Sequence, residues 1–213
     1  MNRPRRIMLG LAVTLLALLA MLAHPAVAPA TIAEQRARLP PPADCPDPVI
    51  GTWKSHAYYP GHGQWYIFTL TVQRVADNDR RLEGQVHSHY WTGGPGDEEP
   101  PPCGPGGYHQ TVIMPASGTA VGFDIEFGGD SWRSEQSLCG SPSRSYYPDR
   151  FRGTIDPAID EFQSVNNDGG PMVNYPTVFR RVSCLEDGDQ SPGIEVVPPP
   201  AFYPDTSGCG CRS

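Results

Sequence analysis

Lysine is all but missing from this chain: Lys54 is the only one among 213 residues. Charged residues of every kind make up 18%, too few for the Ala/Glu/Lys/Leu-rich heptads that build coiled coils and helical bundles. Sixteen basic residues face 23 acidic ones, and the formal charge of −7 excludes the basic face of a nucleic-acid binder. The G-x-S-x-G, H-E-x-x-H, P-loop and dinucleotide signatures are absent, so the enzyme classes that depend on them have no support. Asp77-Asn78-Asp79 and Asn166-Asn167-Asp168-Gly169-Gly170 read as turns and lack the spacing of a calcium loop. There is no internal repeat. What abounds is Pro and Gly, 25 and 23 residues, about twice the usual share. Together with short runs of Val, Ile, Phe, Tyr and Trp, they describe a loop-rich β domain.

The single long apolar run is Ile7 to Ala23. Arg3, Arg5 and Arg6 precede it, and Ala28 and Ala30 follow, placed for cleavage before Thr31. This is the pattern of a signal peptide over residues 1–30. The alternative is a retained anchor, for which 17 residues sit at the short limit of a membrane span. Cleavage removes three Arg and no acid, leaving 13 basic against 23 acidic residues, net −10. The mature protein is therefore expected to be secreted or periplasmic, with no nucleic-acid partner and no membrane partner. Residues 31–48 read as a Pro-rich linker, 49–184 as the folded domain, and 185–213 as an unordered, acidic, Pro-rich tail.

Within the domain, period-2 runs near 50–59, 64–75, 81–91, 108–114, 119–127, 149–155, 161–166 and 175–183 predict about eight strands joined as hairpins. The fold class is all-β, an antiparallel up-and-down barrel, with a sandwich as the alternative. Two strands fix a register. A turn at Asp77-Asn78-Asp79 sets Leu70 opposite Val86, Tyr66 opposite Tyr90, Trp65 opposite Trp91 and Thr69 opposite His87, so like faces meet. The face with Tyr66, Phe68, Leu70, Val72 and Val86 is the candidate core.

Gly51-Thr52-Trp53 on the first strand and Arg180-Arg181 on the last carry a resemblance to the lipocalin, or broader calycin, superfamily of small secreted barrels. Those proteins open on a G-x-W whose Trp packs against an Arg of the final strand. Parity does not choose between Arg180 and Arg181. The resemblance implies an eight-stranded barrel holding a small ligand. The middle Thr-Asp-Tyr motif of the family and its long helix before the last strand have no counterpart here.

All six cysteines follow the apolar run, and in an oxidising compartment they read as disulfides. First and last strands of a closed barrel are neighbours, so Cys45 and Cys184 at their outer ends are expected to pair. Cys103 and Cys139 are expected to join two long loops. Cys209 and Cys211 remain, either a plain exposed pair or a soft-metal or redox dithiol.

His87-Ser88-His89 places two imidazoles on one strand face, and His56 falls on the same face with one strand between it and His89. Together they form a candidate divalent-metal site, with scattered histidines on a wet outer face as the alternative. Trp65, Trp91 and Tyr58 share that face and offer a platform for a sugar ring, or ordinary cross-strand pairs. The expected function is a non-enzymatic, exported barrel that binds a small hydrophobic or aromatic ligand at a mouth lined by Tyr66, Phe68 and Tyr90. The alternatives are a carbohydrate- or surface-binding module, with a glycan as partner, and a metal-dependent enzyme using His56, His87 and His89.

Overall fold

The computed structural model describes residues 31–140, 145–170 and 173–185. The signal pattern, Cys209 and Cys211 therefore lie outside the described residues. Ten strands follow a short helix: α1 (Ile32–Ala37), β1 (Gly51–Lys54), β2 (Ala57–Tyr59), β3 (Gln64–Val75), β4 (Asn78–Thr92), β5 (His109–Val121), β6 (Asp124–Gly129), β7 (Arg133–Cys139), β8 (Arg150–Asp156), β9 (Glu161–Asn166) and β10 (Tyr175–Ser183). Every pairing is antiparallel, and β1 pairs with both β3 and β10, which closes an eight-stranded barrel. Two strands lie outside the cycle: β2 pairs only β3, and β7 pairs only β5.

The register across β3 and β4 is the expected one over most of its length. Leu70 faces Val86, Tyr66 faces Tyr90 and Trp65 faces Trp91, and a bulge intervenes only at Arg74/Val75. The even-numbered face of β3 points inward. Leu70, Val72, Val86, Met114, Phe127, Phe151, Phe162 and Phe179 form one continuous core with it. Sharp coiling needs backbone without side chains. Gly84, at φ +148°, lies so close to Thr71 that an added Cβ would sit 1.9 Å from its carbonyl oxygen.

Two segments differ from the sequence expectation. The stretch 119–127 is not one strand: β5 runs on to Val121 and turns at Gly122 into β6. The stretch 128–148 contains β7, whose Arg-Ser-Glu-Gln-Ser sequence has no hydrophobic alternation because neither of its faces enters the core. Residues 31–48 are not a plain linker either. Thr31 and Glu34 form a reciprocal capping box that starts α1. The helix seats the buried side chain of Gln35 on β10, where the short β1 leaves that edge unpaired. The Gln35 amide donates to the Pro176 carbonyl and accepts from the Val178 N–H, both at 3.0 Å, and so substitutes for a strand.

The seam is reinforced beside this. Trp53 and Arg181 are register partners on β1 and β10, and the Arg181 guanidinium lies 5.4 Å over the Trp53 ring. Arg181 is the arginine that turns inward, 3% exposed, and it donates to the Asp47 carbonyl and the Asp160 carboxylate. Arg180 turns outward and, with Arg36, grips the buried Glu161 carboxylate at 2.6 and 2.7 Å. Burial alone would push the Glu161 pKa up, yet hydrogen bonds from Arg36 and Arg180 outweigh it and hold the group low. Gly51, at φ +142°, has no room for a Cβ, which would lie 2.7 Å from the Ser183 carbonyl oxygen and 3.0 Å from the Arg181 side chain. This arrangement is compatible with a calycin-like barrel.

Both expected disulfides are present, Cys45–Cys184 at the Trp53 end and Cys103–Cys139 at the Tyr66 end. They fit an extracellular or periplasmic protein. Among the described residues no helix is long and apolar enough to cross a membrane. The bridges span 139 and 36 residues. Chain entropy then gives about 5 kcal/mol for the first and about 4 kcal/mol for the second. Replacing Cys45 and Cys184 by Ser is expected to lower the guanidinium unfolding free energy more than replacing Cys103 and Cys139. The reverse order would mean that the seam does not depend on its bridge.

Candidate functional site

The barrel has two unlike ends. At the first, Trp53, Val49, Leu82, Ala120, Ile125 and Ile155 fill the space, all at most 4% exposed. At the second, the inward positions change character. Tyr66 from β3, Ser88 and Tyr90 from β4, Gln110 from β5, and Ser164 and Asn166 from β9 point into the barrel above the phenylalanine layer. Two connections complete this end. Trp132 sits between β6 and β7, and Tyr146 and Asp149 lie on the chain returning to β8.

The return is needed because the sheet splits. β6 pairs with both β5 and β8, whereas β7 follows β5 alone, so the β6–β8 pairing ends at Gly128. Tyr146 enters this gap. Its hydroxyl donates to Asp149 Oδ2 at 2.6 Å, and the Ser88 hydroxyl lies 2.9 Å from the Tyr146 hydroxyl oxygen. Asn166 Nδ2 donates to Asp149 Oδ1, also at 2.6 Å, while its own carbonyl accepts from the Arg150 N–H. Asp149 is 3% exposed. Burial lifts its pKa to about 7 against the two hydrogen bonds that lower it, and the charge of Asp168 lifts it further. Burial also raises Tyr66 and Tyr146, so both remain phenols, and the whole set is a donor-rich, low-dielectric nest around one carboxyl group.

The expected ligand residues separate within this end. Tyr66 is half-buried at the rim, with its ring stacked on Tyr90 at 5.2 Å. Tyr90 is 5% exposed and donates to Gln110 at 3.0 Å. Phe68 is fully buried against Phe151 at 5.0 Å and belongs to the core, because it lies one full inward position deeper than Tyr66. Tyr146, Trp132 and Asp149 carry no periodic signal in the sequence. Asp149 is marked there only as the first residue of the strand at 149–155.

The outer face corrects two expectations. Trp65 and Trp91 stack at 6.2 Å but are 0% exposed. Their indole N–H groups donate to the Gly94 and Asp97 carbonyls at 2.8 and 2.9 Å, so the loop after β4 covers them, and Arg38 lies 4.8 Å over Trp65. That platform is closed to a sugar ring. The three histidines do not converge. His56 packs its ring on Trp65 and Trp91 and bonds the Glu98 carbonyl at 3.1 Å. His87 pairs with Glu135 of β7 at 2.9 Å. His89 meets His109, Nε2 to Nε2, at 2.8 Å. Burial, with His109 next, lowers the His89 pKa to about 4, and burial lowers His56 and His109 as well. No cluster of three potential metal ligands occurs among the described residues.

Asp149 and His89 leave opposite marks on stability. The folded chain keeps a proton on Asp149 between about pH 4 and about pH 7 that the unfolded chain has released, so this group favours folding at low pH and loses that contribution as pH rises to about 7. His89, neutral in the fold down to about pH 4, disfavours folding as pH falls below about 6.5. The two contributions oppose each other, and comparison with Asp149→Asn isolates the first group. The stability of the protein relative to that variant is expected to drop by about 2 kcal/mol between pH 5 and pH 7. Urea unfolding at the two pH values measures it, and an unchanged difference would place Asp149 as an ordinary ionised surface group.

Comparison with protein families, with curated proteins and with solved structures finds no match for this chain, so its own geometry is the ground for a functional reading.

Proposed function

We propose that the chain is an exported, non-enzymatic β-barrel that binds a small aromatic ligand noncovalently at the Tyr66 end. The observation that carries this reading is the rim itself. Tyr66, Trp132 and Tyr146 are the half-buried aromatic residues packed around the end of an otherwise sealed core. They surround polar side chains that point inward rather than to water. Aromatic walls with a few convergent polar groups are the usual make-up of a small-molecule site. The ligand lies at the rim, because the phenylalanine layer below it is filled. The Cys103–Cys139 bridge ties the loop after β4 to the end of β7 beside that rim. Export is supported by the two disulfides and by the N-terminal sequence pattern.

A test is available because three of the four tryptophans, Trp53, Trp65 and Trp91, are at most 1% exposed, which leaves Trp132 to report on the rim. Titration with 2-phenylethanol is expected to change Trp132 emission saturably and to shield it from acrylamide. Tyr66→Ala is expected to weaken the probe at least about tenfold, which corresponds to about 1.4 kcal/mol. Near-ultraviolet circular dichroism checks that the barrel is intact. A linear, unsaturable response that Tyr66→Ala leaves unchanged would overturn the reading.

A further inference from the structure

The outer face of β4 and β5 carries three imidazoles, and they divide into one and two. His87 is taken by Glu135 of β7 at 2.9 Å. His89 on β4 and His109 on β5 stand diagonally across the strand pair, since His89 is the register partner of Thr111 and His109 that of Trp91. Long side chains reach across such a diagonal. Here the two rings meet end to end, with centroids 5.0 Å apart and Nε2 to Nε2 at 2.8 Å. One nitrogen holds a proton and the other accepts it, so each ring spends its ligating atom on the other. Both rings are half-buried, and solvent reaches the pair.

A second polar group lies at the same place. Thr111 sits directly opposite His89 and two residues after His109, on the same face of the sheet, and is 9% exposed. Its hydroxyl oxygen is buried and makes no hydrogen bond among the described residues. Folded proteins rarely leave a buried hydroxyl without a partner, because its desolvation is then uncompensated. The backbone is irregular at this point as well. The β5–β7 register shifts between His109 and Gln110 and again between Thr111 and Val112. Such bulges re-aim side chains and gather beside functional sites.

We propose that His89 and His109 form a two-imidazole site for a divalent first-row metal ion, Cu2+ or Ni2+ before Zn2+, with the Thr111 hydroxyl bonded to a water that the ion carries. Imidazole nitrogens lie about 2.0 Å from a bound ion, so two of them stand about 2.8 Å apart at right angles and about 3.3 Å apart at a tetrahedral angle. The 2.8 Å between the two Nε2 atoms is the right-angle separation, and square-planar or tetragonal sites suit Cu2+ and Ni2+. A pivot of each ring turns both lone pairs toward one ion. The proton between them passes to Nδ1 of the ring that held it, so two neutral imidazoles remain as ligands. Burial, with His109 next, favours the neutral form of His89, which is the form that ligates. The trio of His56, His87 and His89 that strand parity suggests is thus replaced by a pair, because His109 reaches His89 while Glu135 holds His87. This site lies on the outer face and does not rest on the rim reading.

Cu2+ is the probe, added to the full chain in a non-coordinating buffer. One ion per chain is expected to bind and to quench tryptophan emission, because the Trp91 ring lies 5.1 Å from that of His89. The copper electron paramagnetic resonance spectrum is expected to show splitting from two imidazole nitrogens. His89→Ala and His109→Ala are each expected to weaken binding at least about tenfold and to remove the two-nitrogen splitting. His62→Ala, at an exposed loop histidine, and His87→Ala are expected to change the affinity less than threefold. Thr111→Val is expected to weaken Cu2+ at least about threefold without lowering the stability of the metal-free protein. Cys209 and Cys211 are rival copper ligands, and replacing both by Ser is expected to leave the two-nitrogen site in place. Ni2+ is expected to displace Zn2+, and the reverse order overturns the right-angle arrangement. Affinity unchanged in His89→Ala and His109→Ala, or a site lost with Cys209 and Cys211, overturns the assignment. If His89→Ala does not fold, His109→Ala and the native spectrum decide: a spectrum without two-nitrogen splitting overturns it.

Discussion

The barrel depends on one four-residue strand. Among the described residues β1, Gly51 to Lys54, is the only element that pairs with both β3 and β10, and without it their other strands form an open sheet with two raw edges. So short a strand offers few hydrogen bonds, and the structure surrounds it with other means of closure. Trp53 and Arg181 pack across it inside the barrel, Gly51 gives the backbones room to approach, the Gln35 amide extends pairing along β10, and a disulfide joins the chain before β1 to the residue after β10. These are four chemically different devices on one line of the surface. They make the N-terminal segment part of the barrel, although most of it has no regular secondary structure.

The opposite end follows from a second constraint, the parting of β6 and β7. A sheet that stays fully paired around its circumference leaves no gap for a loop residue. Here the chain leaves the cycle after Gly129 and runs on as β7 along β5, and the space is filled by Tyr146 and by the polar set that satisfies its hydroxyl. The chemistry of this end is a consequence of that split. A hydroxyl brought into a dry interior requires an acceptor, Asp149 supplies it, and Asn166 and Ser88 complete the network. One end of the barrel is thus packed for closure, while the other buries a hydrogen-bonded polar set.

Much of the fold was legible in the sequence because it is written in alternation. Tyr66, Phe68, Leu70 and Val72 facing Tyr90, Ser88, Val86 and Gly84 leave only one register that keeps like faces together, and Gly51-x-Trp53 with a late Arg pointed to the seam. The choice of Arg181 over Arg180 needed the bulge between Thr52 and Trp53, which parity cannot foresee. The missed strand β7 is polar on both faces and so has no period to detect. The site was legible only in Tyr66 and Tyr90. Asp149 and Tyr146 act through the return of a loop into the barrel, and nothing local in Tyr146-Tyr147-Pro148-Asp149 records where that loop goes. The histidines misled for a related reason. Their shared strand face was read correctly, but each found a different neighbour, Glu98, Glu135 or His109, on elements whose position the strand alone does not fix.

The loop after β4 does two jobs with one stretch of chain. Its carbonyls at Gly94 and Asp97 cap the indoles of Trp65 and Trp91, and a few residues later Cys103 anchors it to β7. The indole pair stays dry only while that loop is held down. A molecule with this bridge unformed and the loop released would present two large stacked apolar rings to its neighbours. Closing that bond therefore does more than shorten a loop: it keeps the stacked indoles covered and so keeps separate copies of the chain from adhering through them.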